Sequence, residues 1–198
     1  IFVMGINRWR EEHEWPLART EFTPYYLHSG GAANSLLGDG ELSTQPPVDE
    51  PPEAFTYNPA FPTPTRGGNN CCNPEIVPWG AYDQRSIEFR NDVLVYTSAP
   101  MEDDLEITGP VTAKVYASTD GRDTDFTAKL VDVRPDGYAQ NIADGILRAR
   151  YRESLSSPTL MNPGEPYEFS IDLWATSHVF LPGHRLRVEV ASSNFPRF

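Results

Sequence analysis

The sequence predicts an all-β fold, a sandwich or jelly roll, and three observations carry that prediction. Nineteen prolines and 14 glycines spread through 198 residues interrupt any long helix and suit short strands joined by loops. Four segments in the second half alternate apolar and polar residues with period two. Gly, Pro, Asp and Asn turns separate them, the pattern of antiparallel sheets with one buried face.

Taken in order, "IFVMG" reads as a short buried strand, and "NRWREEHEWPL" as a polar connection with a turn of helix around Glu11 to Leu17. "TEFTPYYLHSGG" is an aromatic strand candidate ending at Gly30-Gly31. Residues 45 to 65, dense in proline, cannot be a central strand and read as an ordered surface wrap. "RNDVLVYTSAP" is an apolar run, and "VTAKVYAS" sets Val111, Ala113, Val115 and Ala117 against Thr112, Lys114, Tyr116 and Ser118. Around Tyr138 to Ala143 a second turn of helix is expected. "GILRARYRES" sets Leu147, Ala149 and Tyr151 against Arg148, Arg150 and Arg152. "YEFSIDLWAT" sets Phe169, Ile171, Leu173 and Ala175 against Glu168, Ser170, Asp172 and Trp174. "HRLRVEVAS" sets Leu186, Val188 and Val190 against Arg185, Arg187 and Glu189.

Composition excludes some functions. Sixteen Lys and Arg against 28 Asp and Glu give a formal charge of -12, which repels phosphate backbones and argues against nucleic-acid binding. No apolar run reaches the ~18 residues of a membrane helix, and the start lacks the regions of a signal peptide. Cys71 and Cys72 are adjacent, with Cα atoms ~3.8 Å apart, so two bare thiols are expected rather than a strained vicinal bridge.

Five aspartates, Asp120, Asp123, Asp125, Asp132 and Asp136, surround the run "FTAKLVDV". A calcium loop of the EF-hand type needs oxygen donors at positions 1, 3 and 5 and Gly at 6. Arg122 breaks the register from Asp120, and Thr127 and Ala128 break the one from Asp123. Turn, strand, turn is the better reading. Phe126, Ala128, Leu130 and Asp132 then share a face, so Asp132 needs a partner, for which an arginine of "LRARYR" is the candidate. The arginines Arg148, Arg150 and Arg152 are expected to pair with carboxylates on neighbouring strands or on another domain.

No catalytic, cofactor-binding or metal-binding set is assigned. No serine carries the flanking glycines of the G-x-S-x-G elbow, and His13, His28, His178 and His184 lie in separate segments without paired spacing. The glycines after His28 are similar to an oxyanion-hole motif, with no nucleophile downstream. As an alternative, Trp79, Tyr82, Tyr138 and Trp174 suggest a sugar-stacking platform on a stand-alone carbohydrate-binding-like module.

Several stretches taken together carry a resemblance: "IFVMGINRWREEHEWP", "PYYLHSGGAANSLLGDGELS", "FTYNPAFPTPTRGG", "YDQRSIEFRNDVLVYTSAP", "ASTDGRDTDFTAKLVDVRPDGYAQNIADGILRARYR" and "FLPGHRLRVEVASSNFP". In this order they resemble the C-terminal part of the cocaine-esterase and Xaa-Pro dipeptidyl-peptidase group of serine hydrolases, which includes α-amino acid ester hydrolases and glutaryl cephalosporin acylases. The resemblance implies a parent with an α/β-hydrolase domain holding a Ser-Asp-His triad, a helical cap, and a C-terminal jelly roll of galactose-binding-like form. It places the whole triad before the stretch "FVMGINRWR", so no residue here inherits a catalytic role, and His13 does not match the family's catalytic histidine. Residues 1-16 are then expected to be the end of the catalytic domain, and residues 17-198 a jelly roll lacking its last strand. The expected partners are the upstream hydrolase and cap domains and a second copy of the chain, paired through an open sheet edge. The expected substrate of the parent is a small ester, amide or peptide.

Overall fold

The computed structural model describes residues 1–71 and 73–198. Its architecture is the β-sandwich that the sequence predicts. Ten strands are present among the described residues: β1 (Phe2–Val3), β2 (Arg8–Trp9), β3 (Tyr26–His28), β4 (Glu41–Ser43), β5 (Val93–Thr97), β6 (Leu105–Ala117), β7 (Asp125–Val133), β8 (Ala139–Arg148), β9 (Tyr167–Phe180) and β10 (Arg185–Ala191). One short helix, α1 (Arg85–Glu88), precedes β5. One layer is a six-stranded sheet in the order β3-β4-β5-β10-β7-β8, and the other is the long antiparallel pair β6-β9.

Between the layers lies the main core. Phe126, Ala128 and Leu130 of β7, Leu186 and Val190 of β10, and Leu94 and Tyr96 of β5 meet Phe169, Ile171 and Leu173 of β9. The rings of Phe126 and Phe169 lie 4.5 Å apart. Each such side chain taken from water stabilises the fold by ~1.5–3 kcal/mol, so alternation on these strands is enforced by packing. At Gly145 of β8 the layers approach so closely that a Cβ there would sit 2.0 Å from the Asp172 carbonyl oxygen of β9.

The second face of the six-stranded sheet is also covered. Ile87 of α1 packs on Val93, Val95 and Ala191, and Val131, Val133 and Ala139 form a small cluster beside them. The proline-rich stretch wraps the end of this sheet: Thr65 N–H donates to the Phe195 carbonyl (2.6 Å) and Phe195 N–H to the Thr63 carbonyl (2.8 Å). Thus β5, β7 and β10 are central strands buried on both sides. Arg187 and Glu189, expected to face solvent, are buried instead.

Other expectations need correction. Tyr138 to Ala143 is no helix: Ala139 onward is β8, antiparallel to β7, because Asp136-Gly137 turns the chain back as a hairpin. Residues 11–17 form bends without helix. The strand holding the arginine stripe ends at Arg148, and Ala149–Tyr151 is a 3-10 turn. In β9 the alternation stops at Trp174, whose φ of 67° is in the left-handed region, opposite the register shift between Pro110 and Thr112 of β6. This bulge puts Ala175 on the surface. Cys71 is disulfide-bonded, which corrects the expectation of bare thiols, and Cys72 lies outside the described residues.

The segment before β3 is joined to the sandwich by backbone bonds. Met4 N–H donates to the Ser177 carbonyl and Val179 N–H to the Met4 carbonyl, both at 2.9 Å. Arg10 forks onto Glu106 of β6 at 2.8 and 2.6 Å.

Candidate functional site

Asp132 is the residue whose surroundings depart most from a plain sandwich. It lies on the core face of β7 as its register predicts, and it is 3% exposed. Among the described residues, no arginine bonds to it. Its Oδ2 accepts from His178 Nε2 at 2.9 Å and its Oδ1 from His184 Nδ1 at 2.7 Å. His178 is on β9 in the opposite layer, edge-on to Phe180 at 4.9 Å, and His184 ends the turn before β10. The carboxylate therefore clamps one layer to the other and to the turn that joins them. No serine or cysteine bonds to either imidazole among the described residues, so the arrangement orients two rings and offers no nucleophile. Only Asp132 was legible beforehand, because its partners lie 46 and 52 residues away.

A second histidine site was not visible in the sequence. Ser43 Oγ lies 3.1 Å from His28 Nε2, and His28 Nδ1 lies 2.7 Å from Glu50 Oε1. The contact order is that of a serine–histidine–carboxylate triad, yet the chemistry differs. His28 Nε2 also faces the Gln45 carbonyl at 2.9 Å, an atom that only accepts, so this nitrogen is committed as a donor and cannot take the serine proton. Ser43 Oγ meanwhile accepts from Gln45 N–H at 3.2 Å. Hydrogen bonding from His28 holds the Glu50 carboxyl below its ordinary range. The group secures the proline-rich wrap to the β3–β4 hairpin.

Of the other aspartates, Asp136 makes the local turn bond expected, while Asp123 and Asp125 bond arginines across the hairpin. Asp123 accepts from the Arg150 backbone and side chain (2.9 and 2.6 Å), and Asp125 pairs with Arg148 (2.9 and 2.6 Å). Asp136 accepts from the Tyr138 N–H two residues on (3.0 Å). Arg148 and Arg150 thus pair with carboxylates at the neighbouring strand. Arg152 pairs with the adjacent Glu153 at 3.2 Å rather than across the hairpin, donates to the Ala149 and Thr159 carbonyls and lies 4.2 Å over the Tyr167 ring. Among the described residues, no group of three or more His, Cys, Asp or Glu is placed to hold a metal ion. No helix among them is long and apolar enough to cross a membrane.

Of the four aromatic residues considered as a sugar platform, Trp174 lies in a different layer from Tyr82 and Tyr138. Tyr82 and Tyr138 flank the β8 edge, where Tyr82 N–H donates to Asn141 Oδ1 at 2.7 Å. Trp174 protrudes from the bulge of β9 in the other layer. No ring contact joins any of the four among the described residues.

On the outer face of the six-stranded sheet is a buried charged group. Lys129 of β7 bonds Glu189 of β10 and Gln84, both at 3.2 Å. Arg187 bonds Glu88 of α1 at 2.6 Å and the Thr97 hydroxyl at 2.8 Å.

Comparison with known proteins gives this geometry its context. A cocaine esterase from Rhodococcus sp. (strain MB1 Bresler) is 50% identical over 202 residues, covering 100% of this chain and 34% of that protein. A putative serine esterase of Mycobacterium bovis is 28% identical over 222 residues, covering 100% of the chain and 32% of its own length. Among solved structures, an α-amino acid ester hydrolase matches with a TM-score of 0.82 and 33% identity, over 98% of this chain and 33% of that one. An aminopeptidase from a marine sediment Thaumarchaeota archaeon matches at 0.79 and 32% identity, over 98% of this chain and 32% of that one. The chain spans about a third of the length of the curated relatives it matches. Residues 1–198 match, from end to end, the family described as the X-Pro dipeptidyl-peptidase C-terminal non-catalytic domain, and the chain belongs to that family.

Proposed function

We propose that this chain is the non-catalytic C-terminal domain of a serine hydrolase that cleaves ester or amide acyl bonds. In that parent a Ser-His-Asp set upstream would act: the serine oxygen adds to the acyl carbon, the histidine takes its proton and passes it to the leaving group, and water then releases the acyl-serine. The domain covers the active-site cleft, buries a face of the hydrolase domain and takes part in subunit contacts. Residues 1–16 are the end of the catalytic domain and residues 17–198 the sandwich. The observation that carries the reading is the full-length match to a non-catalytic family, whose longer relatives are named esterases. The arrangement of Ser43, His28 and Glu50 supports it as well, since the one serine bonded to a histidine–carboxylate pair among the described residues faces a nitrogen committed elsewhere.

The test is hydrolysis of p-nitrophenyl acetate and of an alanyl-prolyl chromogenic substrate by the chain alone, with Ser43→Ala and His28→Ala beside it. No turnover above the buffer rate is expected in any of the three. Saturable turnover that disappears in either variant overturns the reading.

A further inference from the structure

Two glutamates buried against one another on the outer face of the six-stranded sheet take no part in that reading. Glu88 is the last residue of α1 and is 0% exposed; Glu189 on β10 is 2% exposed. Each has one oxygen held by a cation: Glu88 Oε2 accepts from Arg187 Nη1 at 2.6 Å and Glu189 Oε2 from Lys129 Nζ at 3.2 Å. The other oxygen on each, Glu88 Oε1 and Glu189 Oε1, is buried with no donor. Arg187 and Glu189 stand two residues apart on one face of β10, so the Glu88 carboxyl bonded to Arg187 is set beside the Glu189 carboxyl. A bare carboxylate oxygen sealed from water is costly, and two facing one another cost more. One proton between them satisfies both.

We propose that Glu88 and Glu189 share a single proton, and that this proton latches α1 onto the six-stranded sheet at acidic and neutral pH and leaves to solvent as the solution becomes alkaline. Burial pushes the Glu88 carboxyl up to about 7, and the Glu189 charge pushes it in the same direction, against the pull of Arg187. The charged groups on the elements around the pair have partners of their own. Arg187 and Lys129 each bond one glutamate as described. Asp144 of β8, opposite Lys129 in register, is engaged by Arg197 and Asn194. Arg85 at the start of α1 turns outward to Asp83. Both cations are bonded to the other oxygen of their glutamates, and neither bonds Glu88 Oε1 or Glu189 Oε1.

The latch has a definite reach. Leu36 N–H donates to the Glu88 carbonyl at 2.6 Å, so the loop before β4 is tied to α1 and is released with it. Folded Glu88 keeps its proton up to about 7, whereas an unfolded glutamate loses its own near ~4.3. Stability from this pair is therefore full below the unfolded value and falls as pH rises towards the folded one. Between pH 6 and 8 the local opening constant rises about tenfold.

The experiment is carbon-13 NMR of glutamate carboxyl groups against pH, with amide exchange read in parallel. The wild type is expected to show a coupled pair of glutamate resonances titrating near neutrality, and a Leu36 protection factor falling about tenfold from pH 6 to 8. In Glu88→Gln the amide oxygen keeps the Arg187 bond and the amide N–H serves Glu189 Oε1, so both pH responses disappear. If that variant does not fold, Glu189→Gln is read instead: the Glu189 charge is gone while the burial of Glu88 remains, so the coupling between two glutamate resonances disappears and the single Glu88 resonance titrates lower than in the wild type. Wild-type glutamates that all titrate in the ordinary range overturn the proposal. So does a Leu36 response that persists unchanged in the glutamine variant.

Discussion

Replacing Asp132 by alanine tests the clamp between the two layers. The substitution removes the acceptor of two hydrogen bonds at once, from His178 Nε2 at 2.9 Å and His184 Nδ1 at 2.7 Å. His178 is 2% exposed, so no solvent replaces its partner, and its Nδ1 is already buried without one. A buried donor left unpaired costs ~1–3 kcal/mol, and breaking a buried charged pair ~3–5 kcal/mol. His184 is partly exposed and recovers some of its loss from water, so Asp132→Ala is expected to cost about 3–4 kcal/mol. Asp132→Asn is expected to cost about 1–2 kcal/mol. Its amide oxygen keeps one bond, and its NH2 is accepted by His184 after that ring moves its proton to the outward nitrogen. Urea unfolding of the three proteins at one pH gives the values, as shifts in midpoint at constant slope. Against a total of ~5–15 kcal/mol the alanine variant is severely weakened. An alanine variant within about 1 kcal/mol of wild type, or an asparagine variant worse than alanine, refutes the reasoning.

Two further predictions follow from packing and from surface charge. Gly145→Ala sets a Cβ 2.0 Å from the Asp172 carbonyl oxygen, which the layers cannot absorb without moving apart; a loss of ~1–3 kcal/mol or more, read by thermal unfolding, is expected. A neutral result means that β8 sits farther from β9. Arg148→Ala breaks a forked pair with Asp125 whose arginine is half exposed, and a change below about 1 kcal/mol in urea unfolding is expected. A loss of several kcal/mol would show that this pair is desolvated.

How much of this was legible follows from range along the chain. The Asp136-Gly137 turn and the pairing of Arg148 and Arg150 with carboxylates depend on residues near in sequence or on adjacent strands of one hairpin, and period two exposes them. The face of Asp132 was legible for the same reason, since a strand places alternate residues on one side. Its partners were not, because histidines 46 and 52 residues away carry no local signal. The expectation of an arginine failed because the β7–β8 register sets Asp132 opposite Gln140, while Arg148 stands opposite Asp125 at the far end of the pair.

By itself the sequence determined the all-β class, the apolar stripes of the sandwich and the absence of a catalytic elbow. Each is a property of local spacing and residue type. The tertiary structure alone decided which polar stripes are buried. Arg187 and Glu189 alternate with apolar neighbours and read as a solvent face, yet α1 and the loops around it cover that face of β10. Burial depends on what packs from elsewhere in the chain, and period two reports only that two faces differ. Once covered, charges that would be screened in water must find partners within a few ångströms. That necessity brought Lys129, Arg187, Glu88 and Glu189 together from three elements.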